Sequence, residues 1–146
     1  VAVRSMHILS LCSGIGGLDV GVRLAVPGAR VVCHVENEAY AASVLVARME
    51  AGELAPCPVW SDLKTFEGRP WRGVVDCLTA GFPCPPVSVA GQRKGIRDER
   101  WLWPDIARIV AAVLPRHVFL ENVPGLLTAS AGRAFGDVLR SLATLG

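Results

Sequence analysis

HILSLCSGIGGLDVGVRLA, residues His7 to Ala25, decides the fold. His7 to Leu11 is a short apolar run of the strand type, and Gly17 to Ala25 has helical period. Between them lies the glycine-rich turn Cys12-Ser13-Gly14-Ile15-Gly16. The rhythm then repeats, with a strand expected over Val31 to Val35 and a helix over Glu38 to Ala51. Further strands are expected over Val59 to Leu63, Val74 to Thr79 and Val118 to Glu121. Helices are expected over Leu102 to Leu114 and Phe135 to Leu145. Pro27-Gly28, Pro56 and Pro58, Gly68-Arg69-Pro70 and Pro124-Gly125 fall at the joints as turns should. Apolar strands separated by helices predict an α/β, doubly wound, mostly parallel sheet covered on both faces. No repeat or low-complexity tract interrupts it, so residues 1–146 read as one domain.

Composition narrows the class. The chain has 146 residues, is 51% apolar and carries a net charge of only +2. Any basic surface must therefore be local, as Arg93, Lys94, Arg97 and Arg100 are in sequence. The five cysteines form no C-x-x-C pair and no Cys/His cluster of zinc spacing, so no metal is expected. An odd number of thiols predicts a reduced, cytoplasmic setting. No stretch reaches the length of a membrane span, and no leader pattern is present at the N-terminus.

In an open sheet of this kind ligands bind beyond the carboxyl ends of the strands. The first strand delivers the glycine turn, whose backbone can approach a ligand closely and whose helix start offers free N–H groups. The second delivers Glu36, an acceptor for ribose hydroxyls. Turn and acid at successive strand ends mark a nucleoside-containing cofactor, against the plainer reading of a tight βα turn with a solvated glutamate. The nicotinamide pattern G-x-G-x-x-G, started at Gly14, fails at Asp19. S-adenosylmethionine, with no pyrophosphate to seat, suits the looser turn. Asp62 and Leu63 follow the third strand and could meet an adenine; the alternative for Asp62 is a turn residue. The fourth strand leads to Cys84, caged in Pro83-Cys84-Pro85-Pro86, where prolines fix the backbone around a thiol nucleophile. The fifth ends at Glu121, expected to be partly desolvated and able to donate a proton. Its alternative is a structural acid bonded to its own turn.

These motifs, in this order, resemble the DNA (cytosine-5)-methyltransferase family. The resemblance rests on Leu11 to Leu18, Glu36-Asn37, Ser61-Asp62-Leu63, Gly81-Phe82-Pro83-Cys84, Gly95 with Asp98-Glu99-Arg100, and Glu121-Asn122-Val123 with Gly125-Leu126. It implies a Rossmann-like S-adenosylmethionine-dependent methyltransferase fold. Ser13, Gly14, Ile15, Gly16, Gly17 and Leu18 would line the cofactor, joined by Glu36, Asn37, Asp62, Leu63, Gly81, Pro83 and Leu102. Cys84 would add to C6 of a cytosine flipped out of double-stranded DNA, with Glu121 at N3. Phe82, Pro83, Asn122 and Val123 would contact that base. Ser88 to Arg100 would be a loop closing over it, with Ser88, Arg93, Lys94, Arg97 and Arg100 toward the substrate.

The sequence departs from the family pattern in places. Pro85 stands where Gln or Asn is common, Cys12 and Asn37 where aromatics are common, and the segment around Asp98 to Leu102 is about one residue short. The chain stops before the family's target-recognition region and closing helix, so the fold is expected to be incomplete at its C-terminal side. A truncated gene, a partial sequence, or a split enzyme whose second polypeptide carries the recognition region are the alternatives. An RNA cytosine-5 methyltransferase and a non-catalytic remnant of the fold are the rival functional readings.

Overall fold

His7–Leu11 forms strand β1, and its neighbours show why the segment is so apolar: Ile8, Leu9 and Leu11 are all buried. The structure, a computed structural model, describes residues 5–84 and 101–145. β1 lies between β2 (Arg30–Val35) and β4 (Cys77–Gly81); β3 (Val59–Trp60) borders β2, and β5 (His117–Glu121) borders β4. All pairs are parallel, in the order β3-β2-β1-β4-β5. The connections carry helices α1 (Gly17–Ala25), α2 (Ala39–Glu50) and α3 (Trp103–Val113), and α4 (Arg133–Leu145) follows β5. Strand order reverses between β1 and β4, which opens a crevice at their carboxyl ends.

The alternation of side chains sorts the sheet into two faces. Leu9 and Leu11 of β1 and Leu78 and Ala80 of β4 join Ile106, Ile109, Val110 and Val113 of α3 in the main core. Burying each of these larger side chains contributes roughly 1.5–3 kcal/mol. Ile8 and Cys77 belong to a smaller cluster with Val22 and Val26, on the α1 side. One irregularity keeps β2 in step. Ile8 pairs with Val31 but Leu9 with Cys33, so Val32 is an extra residue in the ladder. Val31 thereby joins the smaller cluster, while Cys33 and Val35 reach the main core.

Two strands differ from expectation. β3 stops at Trp60 because the chain turns at once: the Asp62 carboxylate accepts from Lys64 N at 2.9 Å and the Asp62 carbonyl from Thr65 N. β4 begins at Cys77, since the amides of Val74 and Val75 both donate to the Trp71 carbonyl and hold that segment in a turn. Beside it, Gly68 lies so near α3 that a Cβ there would sit 2.8 Å from the Ala112 Cβ. No helix among the described residues is long and apolar enough to cross a membrane.

Candidate active site

The glycine turn and Glu36 are one structural unit. Cys12, Gly14 and Gly16 all take left-handed backbone, with φ of 49°, 53° and 83°, so the chain folds back on itself before α1 begins. Glycine adopts this freely, whereas Cys12 carries a cost of roughly 1 kcal/mol or more. Glu36, 9% exposed, accepts from Gly14 N at 2.7 Å through Oε2 and from Glu38 N at 2.8 Å through Oε1. The carboxylate thus fastens the end of β2 to the turn after β1. A solvated glutamate is not what the structure shows.

Around this unit is a cavity of about 470 Å³ that collects most of the expected cofactor residues: Gly14, Glu36, Asn37, Asp62, Leu63, Gly81, Pro83 and Leu102. Cys12 and Lys64 line it too. A Cβ on Gly14 or Gly17 would meet no atom within 4 Å, so the turn's outer face is clear. Gly16 instead packs inward, 3.3 Å from Leu45 at the Cβ position. Burial pushes the Cys12 thiol up to about 12, with the Glu36 charge adding to it. Asp62 is both a turn residue and a wall of the cavity. Ser13 and Leu18 line a second hollow of about 220 Å³ shared with Gly81 and Glu121. The Ser13 hydroxyl is turned inward to the Ser10 carbonyl. Ile15 is exposed, and its carbonyl accepts from Arg48.

The sheet register brings the remaining groups to the same edge. Gly81 pairs with Glu121, and a Cβ on Gly81 would be 3.4 Å from the Glu121 carboxylate. Glu121 itself is exposed at the end of β5. Phe82 is buried, its ring tilted against Trp101 at 5.9 Å and Trp103 at 5.8 Å. Pro83 is exposed at the mouth of the large cavity. Cys84 is half-buried against the core, and burial pushes its thiol above the ordinary 9.0. Asn122 does not present its amide to the cavity: Nδ2 donates to the Phe82 carbonyl at 2.6 Å, and Oδ1 accepts from Val123 N at 3.0 Å. Val123 is exposed. Ser88, Arg93, Lys94, Arg97 and Arg100, with the rest of the expected closing loop, lie outside the described residues. No group of three or more His, Cys, Asp and Glu among the described residues could hold a metal ion.

One polar cluster escaped the sequence reading. Asp19, 1% exposed, accepts from the Ser10 hydroxyl at 2.6 Å and the Thr79 hydroxyl at 2.7 Å, tying β1 and β4 to the first turn of α1. Fully buried His34 stands beside it, Nδ1 3.8 Å from Asp19, with neither ring nitrogen hydrogen-bonded. Burial lowers the His34 pKa, against the opposing pull of Asp19, and keeps the ring neutral. The signal was available: Ser10, His34 and Thr79 are polar residues inside otherwise apolar strands, and Asp19 is the position that breaks the nicotinamide pattern.

The parallel sheet with a crevice at its switch point is that of a doubly wound α/β fold. It superimposes on the S. pombe Dnmt2 methyltransferase with a TM-score of 0.67 and 27% identity, over 92% of this chain and 41% of that one. Residues 6–146 match the family of C-5 cytosine-specific DNA methylases, and the chain belongs to that family. Among its relatives, type II methyltransferase M.PspPI of Psychrobacter sp. (strain TA137) is 33% identical over 98% of this chain and 33% of its own length. Type II methyltransferase M.NgoMIV of Neisseria gonorrhoeae is 34% identical over 94% of this chain and 42% of its own. The chain therefore spans about a third to two-fifths of these relatives.

Proposed function

We propose that this chain is the part of a DNA cytosine-5 methyltransferase that binds S-adenosylmethionine and attacks the base. The observation that carries the reading is the convergence of Gly14, Glu36, Asp62, Gly81 and Pro83 on one cavity, one residue from Cys84. Its volume, about 470 Å³, is in the range of small-molecule sites. Glu36 would hold the ribose, Asp62 and Leu63 the adenine, and the clear face of Gly14 and Gly17 the amino-acid portion. When bound, S-adenosylmethionine supplies an electrophilic methyl group.

The chain's own residues prepare the cytosine. The Cys84 thiolate adds to C6, and Glu121, beyond Gly81, hydrogen-bonds or protonates N3 as electron density moves to C5. After C5 is methylated, loss of its proton and expulsion of Cys84 restore the aromatic ring. Burial holds the Cys84 thiol above its ordinary value, which disfavours the thiolate in the free chain. The target carbon is hidden in a stacked duplex, so the base has to be extruded.

β5 ends the described sheet with an open edge and a half-exposed Phe119, beside an apolar hollow bounded by Leu120, Leu126, Phe135 and Val138. These features suit a further polypeptide segment that adds strands at this edge and supplies target recognition. The test is incubation of the chain with labelled S-adenosylmethionine and DNA of mixed sequence, then nucleoside analysis. 5-Methylcytosine in DNA and none in RNA of the same sequence supports the proposal. Methylated RNA with unmethylated DNA reverses the substrate assignment.

A further inference from the structure

Cys84 and Glu121 sit on different strands, yet the chemistry above, on which this inference rests, requires them to engage one pyrimidine ring at the same time. Their separation must therefore be fixed by something between β4 and β5 beyond the point where the ladder ends at Gly81 and Glu121. Past that pair the ladder ends, and Pro83 has no N–H to offer.

We infer that Asn122 is a positioning residue that braces the Cys84 segment through Phe82. Its Nδ2 donates to the Phe82 carbonyl at 2.6 Å, across 40 residues of sequence. Its Oδ1 accepts from Val123 N at 3.0 Å, which sets the orientation of the amide so that the nitrogen faces Phe82. Phe82 is gripped from the other side too, by Trp101 and Trp103 at the start of α3. The residue two before the nucleophile is thus clamped, by its ring into the core and by its carbonyl to the residue directly after Glu121. Asn122 extends the β4–β5 register by one side-chain link and transmits the position of Glu121 to Cys84. Asn122 does not line the 470 Å³ cavity, so the brace acts on the nucleophile and not on the cofactor.

Two variants separate the brace from general folding. Asn122→Asp keeps the shape and the acceptor for Val123 but turns the Phe82 carbonyl's donor into a repelling oxygen. Asn122→Ala removes the donor without adding charge. Each is compared with wild type by mass mapping of iodoacetamide alkylation, thiol by thiol, with Cys33 and Cys77 as buried indicators of global unfolding. The brace predicts about tenfold or greater acceleration at Cys84 in both variants, with Cys33 and Cys77 unchanged. In DNA carrying 5-fluorocytosine the same variants should form adduct about tenfold to a hundredfold more slowly, while the Kd for S-adenosylmethionine stays within about twofold. Equal Cys84 alkylation in wild type and both variants overturns the brace, whatever the adduct yields. Acceleration at Cys84, Cys33 and Cys77 together also overturns it, since that marks loss of fold. A wild type that forms no adduct counts against the catalytic reading, and the alkylation result still decides the brace.

Discussion

Glu36→Gln is the substitution that tests the cofactor side most sharply, because the geometry allows the replacement no good orientation. Both carboxylate oxygens accept from backbone N–H groups, Gly14 N at 2.7 Å and Glu38 N at 2.8 Å. An amide offers one oxygen and one NH₂, so either way round a donor faces a donor in a nearly buried site. One charge-assisted hydrogen bond is lost outright, about 1.5–3 kcal/mol, and the glycine turn is released from the end of β2. Spread between fold and ligand, this predicts a lower unfolding midpoint and a Kd for S-adenosylmethionine weaker by about tenfold to a hundredfold. Glu38→Gln is the matched control. Glu38 caps α2 by accepting from Tyr40 N at 3.1 Å and Ala41 N at 2.6 Å, but it does not line the cavity. It should cost about 1 kcal/mol of stability and leave binding unchanged. Denaturant unfolding and calorimetric titration give both quantities for each variant. Unchanged binding in Glu36→Gln, or equal weakening in the two variants, would refute the assignment of Glu36 to the ligand.

Three further outcomes follow from packing and protonation. Gly68→Ala should destabilise by roughly 1–3 kcal/mol, read as a fall in thermal midpoint, because its Cβ would crowd the Ala112 Cβ at 2.8 Å and the Ile109 carbonyl at 3.2 Å. The folded state holds the His34 pKa below its ordinary 6.5, so the unfolded chain binds the extra proton more readily; stability should be level above pH 6.5 and decline as pH falls below it. Unfolding midpoints of wild type and His34→Gln across pH 5 to 8 check this, with the variant flatter over that window. Alkylation of Cys84 in the chain alone should rise about tenfold per pH unit and show no plateau at or below pH 9, since burial raises the thiol above 9.0.

The architecture was largely legible because its signals are local. β1 and α1 fall where the apolar run and the helical period put them, and β2, α2, α3 and β5 differ by a residue or so at their ends. The misses have a common cause in hydrogen bonds that sequence does not display. The Asx turn at Asp62 cut β3 short, and the Trp71 carbonyl delayed β4. At the site, positions were readable from strand ends, but orientations were not. The Asn122 amide faces the Phe82 carbonyl and the Ser13 hydroxyl faces the Ser10 carbonyl, orientations that residue type and spacing do not display. The exposure of Glu121 depends on what covers the end of β5, which no feature of Glu121 itself encodes. The bulge at Val32 was equally invisible, although it decides which face Cys33 and Val35 occupy.

Covalent trapping decides whether Cys84 acts as the nucleophile of a cytosine-5 methyl transfer. The chain would be incubated with S-adenosylmethionine and duplex DNA carrying 5-fluorocytosine in many contexts, beside Cys84→Ala. Fluorine at C5 cannot leave as a proton does, so the Cys84–C6 bond should persist. The expected result is a denaturation-resistant adduct whose mass maps to Cys84 and which is absent from the variant. An adduct that survives in Cys84→Ala, or none from a chain that binds both S-adenosylmethionine and the DNA, would contradict it.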